Sequence, residues 1–243
     1  MTGHPILKNM EQQADGWVKK YVLTYELPDG TLHEYHSASR RGAKEYAAKL
    51  ERNARASRAA MAELEKAAEL ESAAELEKAA APEGTKGNAL AQDEQPSACE
   101  TIVPDAVCIV ARTPRNTLVM EREFRYPLNS WCVALPAGLV DPGEDILACA
   151  ARELSEETGY EVIPGTPMRA LPQAGYSSTG LTDETVQVVF VEAEKAGEAH
   201  TESSELIEVF ELPVAGIDDF LNANRLPIGT RAQLILELMK ALG

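Results

Sequence analysis

The sequence predicts an α/β fold: a mixed β-sheet covered by helices on both faces, preceded by a β-hairpin and interrupted by a long helix rich in Ala and Glu. Three observations carry this expectation. Apolar strand-like runs such as DAVCIVAR, residues 105–112, and TVQVVFVEAE, residues 185–194, alternate with helical patterns such as TRAQLILELMKAL, residues 230–242. A strand-turn-strand signature stands near the start, at 17–39. Between the two lies a stretch of about forty residues from Gly42 onward dominated by Ala, Glu, Leu, Lys and Arg, with no proline before Pro82.

The totals limit the function classes. A chain of 243 residues is long enough for one sizeable domain and an accessory segment. Its formal charge of −16 argues against a nucleic-acid backbone or an anionic membrane surface as the main partner, because both would repel it. An anionic small molecule would need a bridging cation. Cys99, Cys108, Cys132 and Cys149 form no CxxC pair and have no closely spaced histidines, so they read as reduced thiols. With no leader-like segment and no apolar run of bilayer length, the expected location is the cytoplasm.

Taken in order, residues 1–41 contain the hairpin, WVKKYVLTYELPDGTLHEYHSAS, folded around Pro28-Asp29-Gly30. Residues 42–98 form a helical insertion and linker. AELEKAA occurs at both Ala62 and Ala74, but Leu64, Leu70 and Leu76 fit neither a heptad nor a clean 3.6 period. Fully helical, the segment would reach on the order of 60 Å. A helical hairpin, a dimer arm and a solvated spacer all satisfy that length, and an arm fits it best. PEGTKGNALAQDEQPS, residues 82–97, reads as a link. Residues 99–243 carry the main domain: DAVCIVAR, TLVMEREF, WCVAL, a turn at Pro136-Ala137-Gly138, a helix ending at Gly159, two further strands at 185–194 and 206–213, and helices at VAGIDDFLNAN and TRAQLILELMKAL.

The chemistry concentrates in AGLVDPGEDILACAARELSEETGYEV, residues 137–162. Glu153, Glu156 and Glu157 stand three and four apart on the helix and so share a face. Clustered like charges destabilise unless a cation neutralises them, and hard oxygen ligands at this spacing suit Mg²⁺ or Mn²⁺ shared with substrate phosphates. A solvated acidic helix face is the competing reading, of about equal weight on composition alone.

Gly138, five residues, Glu144, seven residues, Arg152-Glu153-Leu154-Ser155-Glu156-Glu157, one residue and Gly159-Tyr160 resemble a complete Nudix box, the signature of hydrolases of nucleoside diphosphates linked to another moiety. EFRYP at 123–127, LPAG at 135–138 and STGLTDE at 178–184 resemble the ADP-ribose pyrophosphatase subfamily, as does the hairpin ending in SASRR. Thr179 stands where many relatives carry proline. The resemblance implies a Nudix-type α/β/α sandwich with the Ala/Glu helix as an insertion.

It also implies roles. Glu153 and Glu157 would bind metal, Glu156 would support them, and the Ala137 carbonyl would complete the inner shell. Arg152 would hold the glutamates by charge-assisted hydrogen bonds. Glu184 would activate water, with Asp183 as fallback. Arg125 would clamp the diphosphate or the terminal ribose phosphate, against the plainer reading of an ion pair with Glu121 or Glu123. Arg40 would reach a substrate phosphate in its own or a neighbouring subunit, and Trp17 would stack on adenine; plain surface positions are the alternatives. His33, His36 and His200 read as surface residues. The implied reaction is metal-dependent hydrolysis of ADP-ribose to AMP and ribose 5-phosphate in a homodimer joined through the N-terminal region. Another nucleoside diphosphate sugar, a non-catalytic ligand-sensing module, or a scaffold built around the long helix are the rivals.

Overall fold

The computed structural model describes residues 4–78 and 104–242 except 180, 183 and 202. Three antiparallel strands, β1 (Ile6–Ala14), β2 (Lys19–Glu26) and β3 (Leu32–Ser39), form a first sheet in that order. The expected hairpin is β2–β3. Its turn closes through Leu27 N–H to the Thr31 carbonyl at 2.8 Å, while the Asp29 carboxylate accepts from Thr31 N–H at 2.9 Å. Gly30 takes the left-handed backbone that this turn needs, with φ of 84°. Strand β1 is an addition to the sequence reading. ILKNMEQQA is exposed or half-buried throughout and has no apolar alternation, so only its pairing along β2 reveals it.

Helix α1 (Ala43–Lys78) follows. Its first half does not project as an arm. Tyr46, Leu50, Ala54, Ser57 and Met61, spaced by four, four, three and four, form a buried stripe. The stripe is hard to see in sequence because two of its members are small or polar. It seats the turn after Arg125: Tyr46 hydroxyl donates to the Pro127 carbonyl at 2.9 Å, Asn53 Nδ2 to the Leu128 carbonyl at 2.7 Å, and Ser57 Oγ accepts from Trp131 N–H at 2.8 Å.

The remaining elements are β4 (Ala106–Arg112), β5 (Thr117–Arg125), β6 (Ser130–Ala134), β7 (Ala137–Leu139), α2 (Ile146–Thr158), β8 (Tyr160–Val162), β9 (Arg169–Ala170), β10 (Gly175–Tyr176), β11 (Thr185–Lys195), β12 (Ile207–Pro213), a 3-10 turn at Val214–Gly216, α3 (Ile217–Ala223) and α4 (Thr230–Leu242). The Pro136-Ala137-Gly138 turn of the sequence reading is mostly strand: Ala137–Leu139 pair antiparallel with Ala106–Cys108. The second sheet has nine strands with a spine β10-β11-β4-β5-β12. It is mixed, as expected, because β11 runs parallel to β4 while β5 and β12 are antiparallel.

Both faces of this sheet are covered. Along β4, Val107, Ile109 and Ala111 pack with Cys149, Ala150 and Leu154 of α2, whereas Cys108 and Val110 join the core shared with the first sheet, α1, α3 and α4. Cys108, Cys132 and Cys149 are buried free thiols, while Cys99 lies outside the described residues. Among the described residues no helix is long and apolar enough to cross a membrane.

Candidate active site

A cleft of about 560 Å³ opens where the starts of β4 and β11 meet β7, the second half of α2 and the exposed edge of β3. Local sequence explains how α2 is aimed at it. Asp145 caps the helix by accepting from Leu147 and Ala148 N–H at 3.0 and 3.1 Å, and Gly159 ends it in the left-handed region with φ of 67°. Ala150, Leu154 and Glu157 then fall on the buried face, so a carboxylate sits in an apolar stripe.

Glu157 is 7% exposed, and its Oε2 accepts from Ala137 N–H at 2.9 Å. Burial pushes its carboxyl up to about 8, opposed by that N–H and reinforced by the negative charges of Glu123, Glu153 and Glu205. Glu153 lies against the backbone of Gly138. A Cβ there would fall 1.9 Å from Glu153 Cδ, so the glycine exists for close approach. Burial raises Glu153 as well, and Arg152 partly offsets this.

Arg152 is the hub of the helix's outer side. Its Nε and Nη2 hold Glu144 at 2.8 Å each, its Nη1 reaches Glu153 at 2.8 Å and Glu156 at 3.0 Å, and Nη2 also donates to the Leu139 carbonyl at 3.2 Å. The same fork holds the Glu144 carboxyl down at about 2.

Of the residues singled out in sequence, the structure brings Ala137, Glu153, Glu157, Glu184 and Arg125 into the cleft wall. Glu156 is not among them; its half-exposed carboxylate turns to Arg152. Arg125 both lines the cleft and pairs with Glu123 at 2.5 Å, so the two readings of it coexist. Glu184 is exposed, and the strand start beside it is locked by Asp105, whose carboxylate accepts from Thr185 N–H at 2.7 Å and Oγ1 at 2.8 Å. Asp183 lies outside the described residues. Trp17 and Arg40 stand away from the cleft lining, with the guanidinium 5.6 Å from the indole centroid and the ring 77% exposed.

A model of the NUDIX domain family matches residues 103–230, more than half of the chain and all of this constellation except the β3 edge and Arg231. The chain belongs to the Nudix family. It is similar to the ADP-ribose pyrophosphatase of Bacillus subtilis, 37% identical over 111 residues that make up 45% of this chain and 58% of that protein. A second relative is the ADP-ribose pyrophosphatase of Saccharomyces cerevisiae, 34% identical over 107 residues, 43% of this chain and 46% of that one. A third is the methanol dehydrogenase activator of Bacillus methanolicus, 32% identical over 125 residues, 51% and 65% of the respective chains. The match thus spans less than two thirds of each of these relatives.

The Nudix site also contains residues that sequence reasoning passed over. His33 and His36, read as surface positions, line the cleft from β3, and His33 packs on Tyr126 with centroids 4.8 Å apart. Three apart on an edge strand, they share no face by the strand period, so their spacing carries no signal of a common site. Arg231 enters from α4 and Glu205 from the loop before β12. Outside the lining, Glu121 of β5, an ion-pair partner for Arg125 in the sequence reading, is 1% exposed.

Among the described residues no three Asp, Glu, His or Cys side chains stand close enough to form a ready coordination sphere. The donor set nevertheless fits a hard divalent cation that keeps several of its own waters, since Glu153 and Glu157 offer carboxylate oxygens whose charge burial leaves poorly compensated. Glu153 and Glu157, with the Ala137 carbonyl, would hold it.

Proposed function

We propose that this Nudix protein hydrolyses the diphosphate linkage of ADP-ribose to AMP and ribose 5-phosphate, with Mg²⁺ or Mn²⁺ as cofactor. The observation that carries this reading is one cleft lined by Glu153 and Glu157 of the Nudix box, Glu184 and two arginines, Arg125 and Arg231. The pyrophosphatases of Bacillus subtilis and yeast among its relatives support the substrate class. A bound divalent cation supplies neutralisation of the diphosphate and acidification of a water.

The protein's own groups do the rest. Arg125 and Arg231 bring positive charge to the diphosphate in a wall otherwise rich in glutamate. Glu184 takes the proton of the attacking water as its oxygen bonds to one phosphorus in line and the bridging P–O bond breaks. Arg152 touches no substrate; it sets the angle of Glu153. The exposed Trp17–Arg40 pair reaches a substrate only across a subunit boundary, which is why we place a homodimer, joined through the N-terminal sheet, in this proposal.

The test is AMP formation from ADP-ribose and a panel of other nucleoside diphosphate sugars, with Mg²⁺ and with Mn²⁺, for wild type and Glu157→Gln. Metal-dependent turnover abolished by the substitution is expected. Nucleotide binding without turnover under both metals would replace the hydrolase with a ligand sensor, and a faster sugar nucleotide would replace ADP-ribose.

A further inference from the structure

Glu121 takes no part in the proposed hydrolysis, yet it is the most deeply buried acid among the described residues. Its residue is 1% exposed, and Oε1 is buried without a hydrogen-bond partner. Such a group disfavours folding unless it is satisfied by something not supplied by the side chains around it. Strand alternation says where it faces. Leu118, Met120 and Phe124 of β5 point into the core shared with the first sheet, so Val119, Glu121 and Glu123 point to the opposite face, the one covered by α2. Its carboxyl meets that of Glu157 in a side-chain hydrogen bond, and the charges it feels most are Glu157 and then Glu123, both negative, with Arg125 as a weaker counterweight. A buried acid with an orphan oxygen therefore lies behind Glu157, on the sheet side of the cleft.

A buried acid whose partner is another acid, and whose second oxygen is left without one, gains a purpose when positive charge arrives. Hard divalent cations take carboxylate oxygens directly or through waters of their shell, and each added carboxylate tightens the grip. We propose that Glu121 is a further carboxylate serving the divalent-cation site, supplied by the sheet directly behind the helix-borne Glu157 and drawn toward the ion with it. This rests on the cleft being a cation site, as in the proposed function. It adds a carboxylate from outside the Nudix box, carried by β5 beneath α2.

Mn²⁺ binding to the full chain, followed by the loss of the free-ion electron paramagnetic resonance signal without substrate, tests it in wild type, Glu121→Gln, Glu121→Leu and Glu157→Gln. Glu121→Gln and Glu121→Leu are expected to weaken Mn²⁺ binding about tenfold or more, or to remove one ion per chain. Their melting temperatures in chelator should equal or exceed that of wild type, because the acid opposes the metal-free fold. Wild-type affinity and stoichiometry in Glu121→Gln, with binding lost in Glu157→Gln, would overturn this inference and leave the proposed function standing. Unaltered binding in all variants, or none in wild type, would overturn both. Lower melting temperatures in chelator for both Glu121 variants would also overturn it, since the acid would then serve the fold.

Discussion

Replacing Gly138 with alanine should separate the site from the fold more cleanly than removing any carboxylate. The new Cβ would lie 1.9 Å from Glu153 Cδ and 2.2 and 2.3 Å from its two oxygens. Carbon atoms in contact sit roughly 3.5 Å apart, so the carboxyl must retreat by about 1.5 Å. It is the end of a flexible side chain and can do so by rotation, giving up its 2.8 Å contact with Arg152. That loss is about 1 kcal/mol, or roughly 2–4 °C in melting temperature for a chain of this size. Catalysis should suffer far more, because a displacement of this order at a catalytic group typically costs ~100-fold. Gly159→Ala provides the opposite case. There the Cβ meets the Gly197 carbonyl oxygen at 2.3 Å, which is backbone and cannot rotate away, and φ is 67°. Strain and overpacking together should cost about 3 kcal/mol while the folded fraction stays active. Initial rates of AMP formation and thermal unfolding, measured on both variants, check the pair. A Gly138→Ala protein with wild-type kcat/KM, or one destabilised as much as Gly159→Ala, would refute the idea that this glycine exists to seat Glu153.

Four further outcomes are expected. In chelator, thermal stability should fall as pH rises through about 8, because the buried Glu157 carboxyl is raised to about 8 from its ordinary 4.5 and keeps its proton only in the folded state; its contribution is complete below about 4.5, and saturating Mg²⁺ should flatten the curve. Arg152→Lys keeps the charge but loses the fork that holds Glu144, Glu153 and Glu156, so kcat should drop by about 10–100-fold with a stability loss of about 2 kcal/mol, read by kinetics and denaturant unfolding. Ser57→Ala strands the buried Trp131 N–H now bound at 2.8 Å and should lower unfolding free energy by about 1–3 kcal/mol; an unchanged denaturant midpoint would show that α1 does not hold the β5–β6 turn. Trp17→Ala and Arg40→Ala should raise KM for ADP-ribose several-fold at nearly constant kcat if a partner subunit presents them, and unaltered kinetics would place that pair away from substrate.

Much of the fold could be read because it rests on local rules. The β4 and β5 runs, the α2 helix from its Asp145 cap to Gly159, and the turn at Pro28-Asp29-Gly30 follow from apolar period, capping chemistry and backbone freedom, all of which act within a few residues. The acidic spacing on α2 was equally visible. Less visible was its division: Glu157 goes inward with Ala150 and Leu154, while Glu156, one residue earlier, turns to Arg152. A 100° step along a helix decides which carboxylate is buried, and only the partner surface says where the boundary falls.

By itself the sequence determined the chemistry available: a stripe of glutamates at helical spacing, the arginine that ties them, and a mixed sheet to carry them. Tertiary structure alone decided what was brought to meet that stripe. The seating of α1 through Tyr46, Leu50, Ala54, Ser57 and Met61, the approach of His33 and Arg231 from opposite ends of the chain, and the burial of Glu121 behind Glu157 are contacts between residues far apart in order. Short-range propensity has no term for such contacts. They are set by which apolar faces exclude water together, and that is a property of the whole packed chain.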